Sequence, residues 1–581
     1  MKYLINKKSF LIALLVSTLF IPQLNNTHYA PSAQFWTEII VAYCILISYT
    51  AMSIVFFKRD ADSKLVSIPL ITIYLMLLGV YIIVETKINP YNFIGLNIIA
   101  LLEMVILILF AINIESIKES FGLPTLMTYI CFAILLGGIL QSTIGLMQFT
   151  GLAQYCGDYI FYDYNHPTTN IFGHFGQRNH YSHYLSWAIF ATIYLFHQRR
   201  INIAIFSVCM IYLCFGITIS GSRSVFLYFI TAIIISAIML LSKQKAQMKM
   251  FILILMATIT MLILQFGWSN VHSSKFSTQS GLQRLENINS GNNERRYTEW
   301  QKAWIIFKNH PIIGVGWNQF AKNSMELQQQ FPDAPTNAGL FTNCHNIILQ
   351  LGAETGVIGI LLLLLPILQV CYKMFKNQQY RSEYTIILCM IGTTFMHSMT
   401  EYPLWYLYFL APFIMFLSLD QPFMKISPRL NLTMFAPITI VIWYLVIYYS
   451  ITYNGIVNRF AVPSDQDSIN ANVAYLKNVI NHDVLLSYYG VFTLDEYIGN
   501  STTIPMSNQQ QFAYDKLLNQ FHPYPETMFK SAMFYYEFGN ENLAKNILHE
   551  TIIAYPNYKK YFMQKLHDQK LDKLLDDNKN Q

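Results

Sequence analysis

The sequence predicts an all-α polytopic membrane protein with about 13 transmembrane helices and a C-terminal helical domain in water. Of its 581 residues, 54% are hydrophobic and only 12% are charged, about half of the roughly 25% typical of soluble domains. Apolar stretches long enough to cross a bilayer recur along most of the chain. The composition excludes a disordered or coiled-coil protein. It also argues against a nucleic-acid partner, because the net charge of +6 is too diffuse for a polyanion.

The charged residues divide the chain into two parts. Residues 1–453 contain 45 Asp, Glu, Lys and Arg residues, about 10%, whereas residues 454–581 contain 25, about 20%. We therefore expect a membrane body at 1–453 and a soluble helical domain at 454–581. In this tail, Tyr535, Gly539, Ala544 and Pro556 lie near the spacing of a tetratricopeptide-like helical hairpin. A helical cap with no recognition role fits the same spacing.

Thirteen apolar segments are candidate spans. Lysines precede the first segment as in a signal peptide, but no small-residue cleavage site follows it, so we expect a retained anchor. The segments begin near Phe10, Phe35, Leu65, Phe93, Pro124, Tyr181, Ile201, Val225, Met250, Asn346, Tyr384, Leu404 and Leu432.

Basic residues predict the orientation of the membrane body. The connections on one side are rich in Lys and Arg, whereas the opposite short loops carry only Lys87, Arg178 and Arg223. Because cytoplasmic loops are enriched in Lys and Arg, we expect a cytoplasmic N-terminus and an extracytoplasmic tail. Two outward segments, at about 152–180 and about 268–345, are too long for simple connectors and indicate an outward-facing site.

Each of these outward segments contains one cysteine, Cys156 in the first and Cys344 in the second. In an oxidising compartment the two cysteines would form a disulfide if the segments packed together. Two unpaired thiols are equally compatible with the sequence.

Polar side chains at a membrane surface are costly to place and mark functional sites. The first outward cluster is Gln177, Arg178, Asn179 and His180, directly before the sixth span. It fits either a polar-substrate surface or an interfacial collar. The second cluster surrounds Arg223, between the seventh and eighth spans. A guanidinium group there offers planar, bidentate donors to a phosphate, although an arginine that reaches lipid headgroups is an alternative.

Two further clusters follow along the chain. Arg295 and Arg296 precede an aromatic-faced helix in the second outward segment, where they would present cations to a lipid-linked anion. His345 occupies the N-terminal end of the tenth span. The positive end of the helix dipole disfavours a second positive charge there, and a neutral imidazole is what a general base requires. Glu354, nine residues later, is expected to brace the helices.

A smaller group, His397 with Glu401 and Tyr402, ends the eleventh span on the same side. It fits either an acceptor path or a helix-end turn. The sequence contains no CxxC pair, HExxH motif, paired aspartates or P-loop, so we expect neither a metal, a cofactor nor a nucleotide site. An outward-facing transferase without a nucleotide would need a donor that is already activated and carried by a lipid.

In these residues the sequence resembles the O-antigen ligase and polymerase superfamily of bacterial glycosyltransferases. Within it, the chain is most similar to protein O-oligosaccharyltransferases of the pilin-glycosylating type. The resemblance depends on the order and shared side of Ser222-Arg223, Arg296 with Trp300, His310-Pro311 through Gly314-Val315-Gly316-Trp317, and His345-Asn346 through Glu354-Thr355-Gly356. Gly173 through Asn179 and Glu401 through Leu404 resemble the protein-glycosylating branch.

The resemblance implies en bloc transfer of an oligosaccharide from undecaprenyl diphosphate to a Ser or Thr hydroxyl of a periplasmic protein, without metal. It places the enzyme in the bacterial inner membrane. Arg223 and Arg296 would bind the diphosphate, with Arg295 as the rival of Arg296, and His345 would accept the hydroxyl proton. Donor or acceptor contacts are expected from Gln177, Arg178, Asn179, His180, Glu401 and Tyr402.

Three alternatives remain open from the sequence. A lipopolysaccharide O-antigen ligase would use the same residues but join the glycan to lipid A-core, and a repeat-unit polymerase would join glycan to glycan. A multi-span transporter belongs to a different class. It should show repeated halves and broken midplane spans, and the sequence shows neither convincingly.

Overall fold

A computed structural model describes residues 2–57, 65–89, 91–242, 245–270, 281, 284, 292–331, 339–420, 422–498 and 504–576. Four parts of the predicted outward segment 268–345 lie outside the described residues, namely 271–280, 282–283, 285–291 and 332–338.

Each of the thirteen predicted apolar segments contains an α-helix, and two more helices lie in the described residues 292–331 of the second outward segment. The fifteen are α1 (Lys2–Ser17), α2 (Phe35–Phe57), α3 (Ile71–Ile88), α4 (Ile94–Phe121), α5 (Leu123–Thr150), α6 (Arg178–His197), α7 (Ile203–Ser220), α8 (Val225–Met239), α9 (Lys245–Asn270), α10 (Asn292–Asn309), α11 (Phe320–Glu326), α12 (Ile347–Lys376), α13 (Arg381–Ser398), α14 (Leu407–Leu417) and α15 (Pro428–Val457).

Eight helices among the described residues are long and apolar enough to cross a membrane: α2, α3, α4, α5, α7, α9, α12 and α15. Helices α8 and α14 are apolar but shorter. Helix α6 is polar for a membrane span. Its polar side chains are tolerated because every residue from His180 to Leu195 is buried in protein and not exposed to lipid. The protein is thus a multi-pass membrane protein, while the figure of 13 spans and the orientation of the termini remain predictions.

Short 3₁₀ helices, one of them in the tail, and a two-stranded sheet complete the described part of the chain. Strand β1 (Val66–Pro69) pairs antiparallel with β2 (Pro422–Ile426), which departs from the all-α expectation. The third predicted span therefore begins at Ile71 rather than near Leu65, because β-branched residues and proline favour the extended backbone of β1. The 3₁₀ helices are Pro22–Leu24, Leu152–Tyr155, Gly157–Tyr159, Leu240–Ser242, Leu327–Gln330, Pro403–Trp405 and Pro556–Tyr558.

The chain forms two compact units. Unit 1 comprises Met1–Leu77, Glu103–Ile288 and Leu362–Val446. Its centre is α6, which α5 approaches closely because α5 presents glycines to it. A Cβ atom on Gly138 would collide with Ala188, and one on Gly145 would collide with the ring of Tyr181. Small residues of this kind allow membrane helices to pack backbone against backbone.

Unit 2 comprises Leu78–Leu102, Asn289–Leu361 and Ile447–Gln581, and so includes the tail. The tail core contains Phe529, Leu548 and Phe562, and the rings of Phe529 and Phe562 stack with centroids 4.8 Å apart. The tail helices are α16 (Gln466–His482), α17 (Ser487–Tyr497), α18 (Asn508–Asn519), α19 (Pro525–Glu537), α20 (Glu541–Ala554), α21 (Lys559–Asp568) and α22 (Lys573–Asp576).

The residues that suggested a tetratricopeptide-like unit occupy one helical hairpin of the tail. Tyr535 lies in α19 and Ala544 is buried in α20. Gly539 makes the turn between these helices with a φ of 81°, a left-handed conformation that glycine adopts without strain. The helical tail is as predicted, and its likeness to tetratricopeptide repeats remains a prediction.

Candidate active site

The residues predicted to form the site divide between the two units. Those of unit 1 are Gln177, Arg178, Asn179, His180, Arg223, Glu401 and Tyr402. Those of unit 2 are Arg295, Arg296 and His345.

In unit 1, three motifs that are far apart in the sequence meet through hydrogen bonds. The side-chain amide of Asn179 donates to Oε1 of Glu401 at 2.9 Å. The hydroxyl of Ser222 donates to Oδ1 of Asn179 at 2.7 Å. Glu401 is 2% exposed and Ser222 is fully buried. Asn179 and Glu401 therefore bind each other inside unit 1, and their predicted contacts with substrate remain predictions.

Arg223 extends from a tight turn after α7. Gly221 ends the helix in a left-handed conformation, and the Ser222 amide donates to the Ser220 hydroxyl at 3.2 Å. On the other side, Nη1 of Arg284 donates to the Gly221 carbonyl at 3.0 Å, and Nη1 of Arg223 donates to the Arg284 carbonyl at 3.5 Å. The turn is fixed from both sides, and the Arg223 side chain is half-buried.

Sequence reasoning missed Arg284. Arg284 could have been selected as a candidate, because it is an arginine in an outward segment, which is the property that selected Arg223. Its contact with the Gly221 carbonyl depends on folding and could not be inferred from the spacing of the residues.

The rest of the first cluster holds the N-terminal end of α6 and the preceding loop. Oε1 of Gln177 accepts the His180 amide at 3.2 Å and so caps α6. Arg178 donates to Asn170 at 2.6 Å, within the first outward segment. Nδ1 of His180 lies 3.0 Å from the Tyr408 hydroxyl. These contacts give Gln177, Arg178 and His180 structural roles in addition to the predicted substrate contacts.

A pair of histidines lies in the interior of unit 1. The Nδ1 atoms of His183 and His397 are 2.9 Å apart, and both side chains are fully buried. The burial of His397 favours the helix-end interpretation over an acceptor path. Tyr402 is half-buried, and its ring centroid lies 5.8 Å from that of Tyr406.

The loop before α6 is held by side-chain amides of α5. Oε1 of Gln148 accepts the backbone amide of Gly173 at 2.9 Å, and Oε1 of Gln141 accepts that of His174 at 2.8 Å. Burial lowers the pKa of His174 to about 4, although the Leu24 carbonyl partly offsets this. The loop is thus built around a neutral imidazole.

In unit 2, the two adjacent arginines have different surroundings. Arg295 is 5% exposed, and its Nε lies 3.0 Å from Oε1 of Glu299. Glu299 also accepts from Lys302 at 3.0 Å and from Ser324 at 2.5 Å. Burial lowers the pKa of Lys302. Arg296 is half-buried instead, so the geometry favours Arg296 over Arg295 as the arginine that reaches a substrate.

His345 is held in an uncommon backbone conformation, with a φ of 59°. A non-glycine residue keeps such a conformation where its neighbours enforce it, often at functional sites. Here Oδ1 of Asn346 accepts the amides of Ile348 and Leu349 at 3.1 Å and caps α12. The half-buried His345 ring lies 5.6 Å from the Phe341 ring.

Phe341 connects His345 with the arginine pair. The guanidinium carbon of Arg295 lies 4.8 Å from the centroid of the Phe341 ring, whose other neighbour is His345. The structure thus brings the start of α10 and the start of α12 together around the Phe341 ring.

The segment His310 through Trp317 docks into a break in α12. The amides of Val315 and Gly316 donate to the carbonyls of Ala353 and Glu354, both at 2.9 Å. Gly356 breaks the helix with a φ of 62°, and a Cβ atom there would collide with the Ile312 carbonyl. The buried carboxylate of Glu354 accepts the Phe320 amide at 3.3 Å. This is the bracing role predicted for Glu354.

The two outward cysteines are free thiols. The Cys156 thiol donates to the Leu152 carbonyl at 3.5 Å, and the Cys344 thiol donates to the Asn346 carbonyl at 3.3 Å. Burial raises the pKa of Cys344. The two cysteines belong to different units, and a disulfide between them remains a prediction.

Three protein families match the chain in the segments that carry these residues. The family described as O-antigen ligase matches residues 205–364, which include the Arg223 turn, the arginine pair and His345. The family described as protein glycosylation ligase matches residues 171–196. A third, the C-terminal part of virulence factor membrane-bound polymerases, matches residues 386–569.

Two curated proteins of Acinetobacter baylyi are similar to the chain. A ComP-specific O-oligosaccharyltransferase is 26% identical over 244 residues, 41% of each protein. A general O-oligosaccharyltransferase is 24% identical over 421 residues, 69% of this chain and 68% of the relative. The chain thus aligns with about two fifths of the length of the first relative and about two thirds of the second.

The helical membrane fold, the matched O-antigen ligase and protein glycosylation ligase segments and the two relatives together support a membrane glycosyltransferase of the O-antigen ligase superfamily. Within that superfamily, the short glycosylation ligase match and both relatives, which are named as O-oligosaccharyltransferases, support the branch that the sequence resembles.

Proposed function

We propose that this protein transfers an oligosaccharide en bloc from undecaprenyl diphosphate to a Ser or Thr hydroxyl of a periplasmic protein such as a pilin. It would act in the bacterial inner membrane, with its N-terminus in the cytoplasm and its tail in the periplasm. The observation that carries the proposal is His345, a histidine held with a φ of 59° at the start of α12 within the matched ligase segment.

In this proposal His345 is the general base. Its neutral imidazole accepts the proton of the acceptor hydroxyl as the hydroxyl oxygen bonds to C1 of the first sugar. The bond between C1 and the diphosphate oxygen breaks, and undecaprenyl diphosphate leaves. The cap formed by Asn346 and the neighbouring Phe341 ring support a fixed position for the base.

Arg223 and Arg296 would hold the diphosphate. Charge grows on the leaving oxygen as the sugar departs, and guanidinium groups stabilise that charge, so the proposed reaction needs no metal. Both side chains are half-buried, so part of each remains accessible, and this supports the assignment. Arg295 supports the position of Arg296 through its ion pair with Glu299.

The remaining predicted contacts have two kinds of role in the proposal. We assign Tyr402 to contact with donor or acceptor, whereas Gln177, Arg178 and His180 hold the loop and helix that frame the Arg223 turn. The tail would bind the acceptor protein.

The test is transfer by purified protein in liposomes, supplied with undecaprenyl-diphosphate-linked oligosaccharide and two acceptors, a pilin and lipid A-core. We expect glycosylated pilin from the wild type and none from His345→Ala, Arg223→Ala or Arg296→Ala. The matched control is His197→Ala, a histidine in the last turn of α6, because the proposed contacts lie at the other end of that helix. Normal transfer by the His345 variant would overturn the mechanism.

A lipopolysaccharide O-antigen ligase is the second candidate, because the longest match within the membrane body is to the O-antigen ligase family. Such an enzyme would use the same arginines and histidine. Transfer to lipid A-core alone in the two-acceptor assay would replace the protein acceptor by the lipid. Extension of the lipid-linked glycan itself would indicate a polymerase.

A further inference from the structure

Glu401, Asn179 and Ser222 form a chain of hydrogen bonds that ends one residue before Arg223. We propose that this chain, the Glu401 relay, positions Arg223, so that Asn179 and Glu401 act through Arg223 and do not contact substrate. The inference depends on the proposed function, because it assigns Arg223 to the lipid diphosphate.

The relay has one direction. As a carboxylate, Glu401 only accepts hydrogen bonds, so it takes the NH₂ group of Asn179. The amide oxygen must then face the other way, towards the Ser222 hydroxyl, which donates to it. A buried polar chain in which each link is satisfied in one orientation fixes its members. Here the last member is Ser222, which directly precedes Arg223 in the chain. Fixing Ser222 therefore also fixes the backbone from which the Arg223 side chain extends.

The opposite side of the turn is also fixed. The Ser222 amide bonds to Ser220, whose hydroxyl lies 2.8 Å from that of Ser182 in α6. Arg284 holds the Gly221 carbonyl. The backbone at Ser222 therefore has little freedom. Through Asn179, the relay also connects Ser222 to Glu401, three residues after the end of α13. Without it, Ser222 keeps its backbone contacts but loses the hydrogen bond from its hydroxyl to Asn179.

Burial argues for positioning rather than substrate contact. Glu401 is 2% exposed and its carboxylate binds Asn179, whereas Arg223 is half-buried. A carboxylate facing a diphosphate would also repel it, since like charges disfavour each other in a poorly solvated site. Glu401 is useful only when turned away from the diphosphate, with the neutral amide and hydroxyl between it and Arg223.

The relay can be tested by exchanging the residue types of its first two members, Glu401 and Asn179. Asn179→Asp keeps the size of the side chain but sets two carboxylates against each other. Adding Glu401→Gln restores the pattern, because the new amide donates to the carboxylate at position 179, whose other oxygen accepts from Ser222. The double variant thus exchanges the residue types and keeps every hydrogen bond.

The assay measures kcat, KM for the lipid-linked donor and KM for the acceptor protein, for full-length variants in liposomes. We expect Asn179→Asp to lower kcat/KM for the donor by roughly 100-fold, as a misplaced catalytic group does. The acceptor KM should stay within about twofold. Adding Glu401→Gln should recover at least about tenfold of the loss, a coupling of the size found for contacting residues.

The matched control is Thr192→Val, which replaces a buried hydroxyl of α6 that bonds to its own helix. It should retain wild-type kinetics. A second variant, Ser222→Ala, cuts the relay without adding charge, and remains informative if Asn179→Asp does not fold. It should raise the donor KM or lower kcat while leaving the acceptor KM unchanged.

Three results would overturn the relay: Asn179→Asp or Ser222→Ala behaving like Thr192→Val, no recovery in the exchanged double variant, or an equal loss for donor and acceptor. These results are distinct from failure of the proposed function. That failure would appear in the wild type as an absence of transfer from the lipid donor to protein.

Discussion

The Nε atom of Arg295 lies 3.0 Å from the carboxylate of Glu299, and both side chains are buried within unit 2. The adjacent Arg296 is half-buried. Two neighbouring residues of the same type thus have separate tasks, because successive residues of a helix point about 100° apart. The Arg295 side chain is buried inside unit 2, whereas the Arg296 side chain is partly exposed.

This difference in burial predicts that replacing Arg295 mainly lowers stability, whereas replacing Arg296 mainly lowers activity. Arg295→Met should lower the free energy of unfolding by about 2 kcal/mol, less than the 3–5 kcal/mol of a fully broken buried pair, because Lys302 still binds Glu299. Arg296→Met should change stability far less and abolish transfer. Thermal unfolding in detergent and the liposome assay measure the two effects. Equal losses of stability would contradict the assignment.

The break in α12 should tolerate no side chain at Gly356. Gly356→Ala places a Cβ atom against the Ile312 carbonyl at a φ of 62°. We expect destabilisation of about 3 kcal/mol from strain and displacement of the docked segment. Gly267→Ala is the matched control, because a Cβ atom there meets nothing within 4 Å. Similar melting temperatures for both variants would show that the docked segment is not tight.

Asn346 should matter for activity more than for stability. Asn346→Ala removes the cap of α12 and should cost about 1 kcal/mol. Because His345 is the preceding residue, kcat should also fall roughly tenfold or more as the base loses its position. Asn346→Asp keeps a capping oxygen and should keep most of the activity. The cap would be irrelevant to His345 if both variants had wild-type kcat.

Stability of the first outward loop should fall in acid because of His174. Its folded pKa of about 4 lies below its ordinary value of 6.5, so the unfolded state binds more protons between these values. The contribution is complete above pH 6.5 and is lost as the pH falls towards 4. At pH 5 the loss should be about 2 kcal/mol.

Limited proteolysis of the loop between pH 7 and pH 5 measures this effect. His174→Gln is the comparison, since a side chain that does not titrate should remove most of the pH dependence. An unchanged pH profile in that variant would assign the acid sensitivity to other groups.

The sequence determined the helical class of the protein, the thirteen helical segments and the outward motifs, because hydrophobic length and scarce polar residues are local properties. It also selected Arg223, Arg296 and His345 as candidates, together with the superfamily. It did not predict the β1–β2 pairing, whose strands are more than 350 residues apart. Nor did it predict that α6, which is polar for a span, is buried along its whole length from His180 to Leu195.

Only the tertiary structure separated Arg295 from Arg296, added Arg284 to the Arg223 turn and turned Asn179 and Glu401 towards each other. It also showed that two motifs recognised separately in the sequence pack against each other through backbone hydrogen bonds: His310 through Trp317 and Glu354 through Gly356. The physical reason is the same in each case. A polar residue next to a membrane is recognisable from its cost, but its role depends on which partner satisfies it, and that partner is chosen by folding.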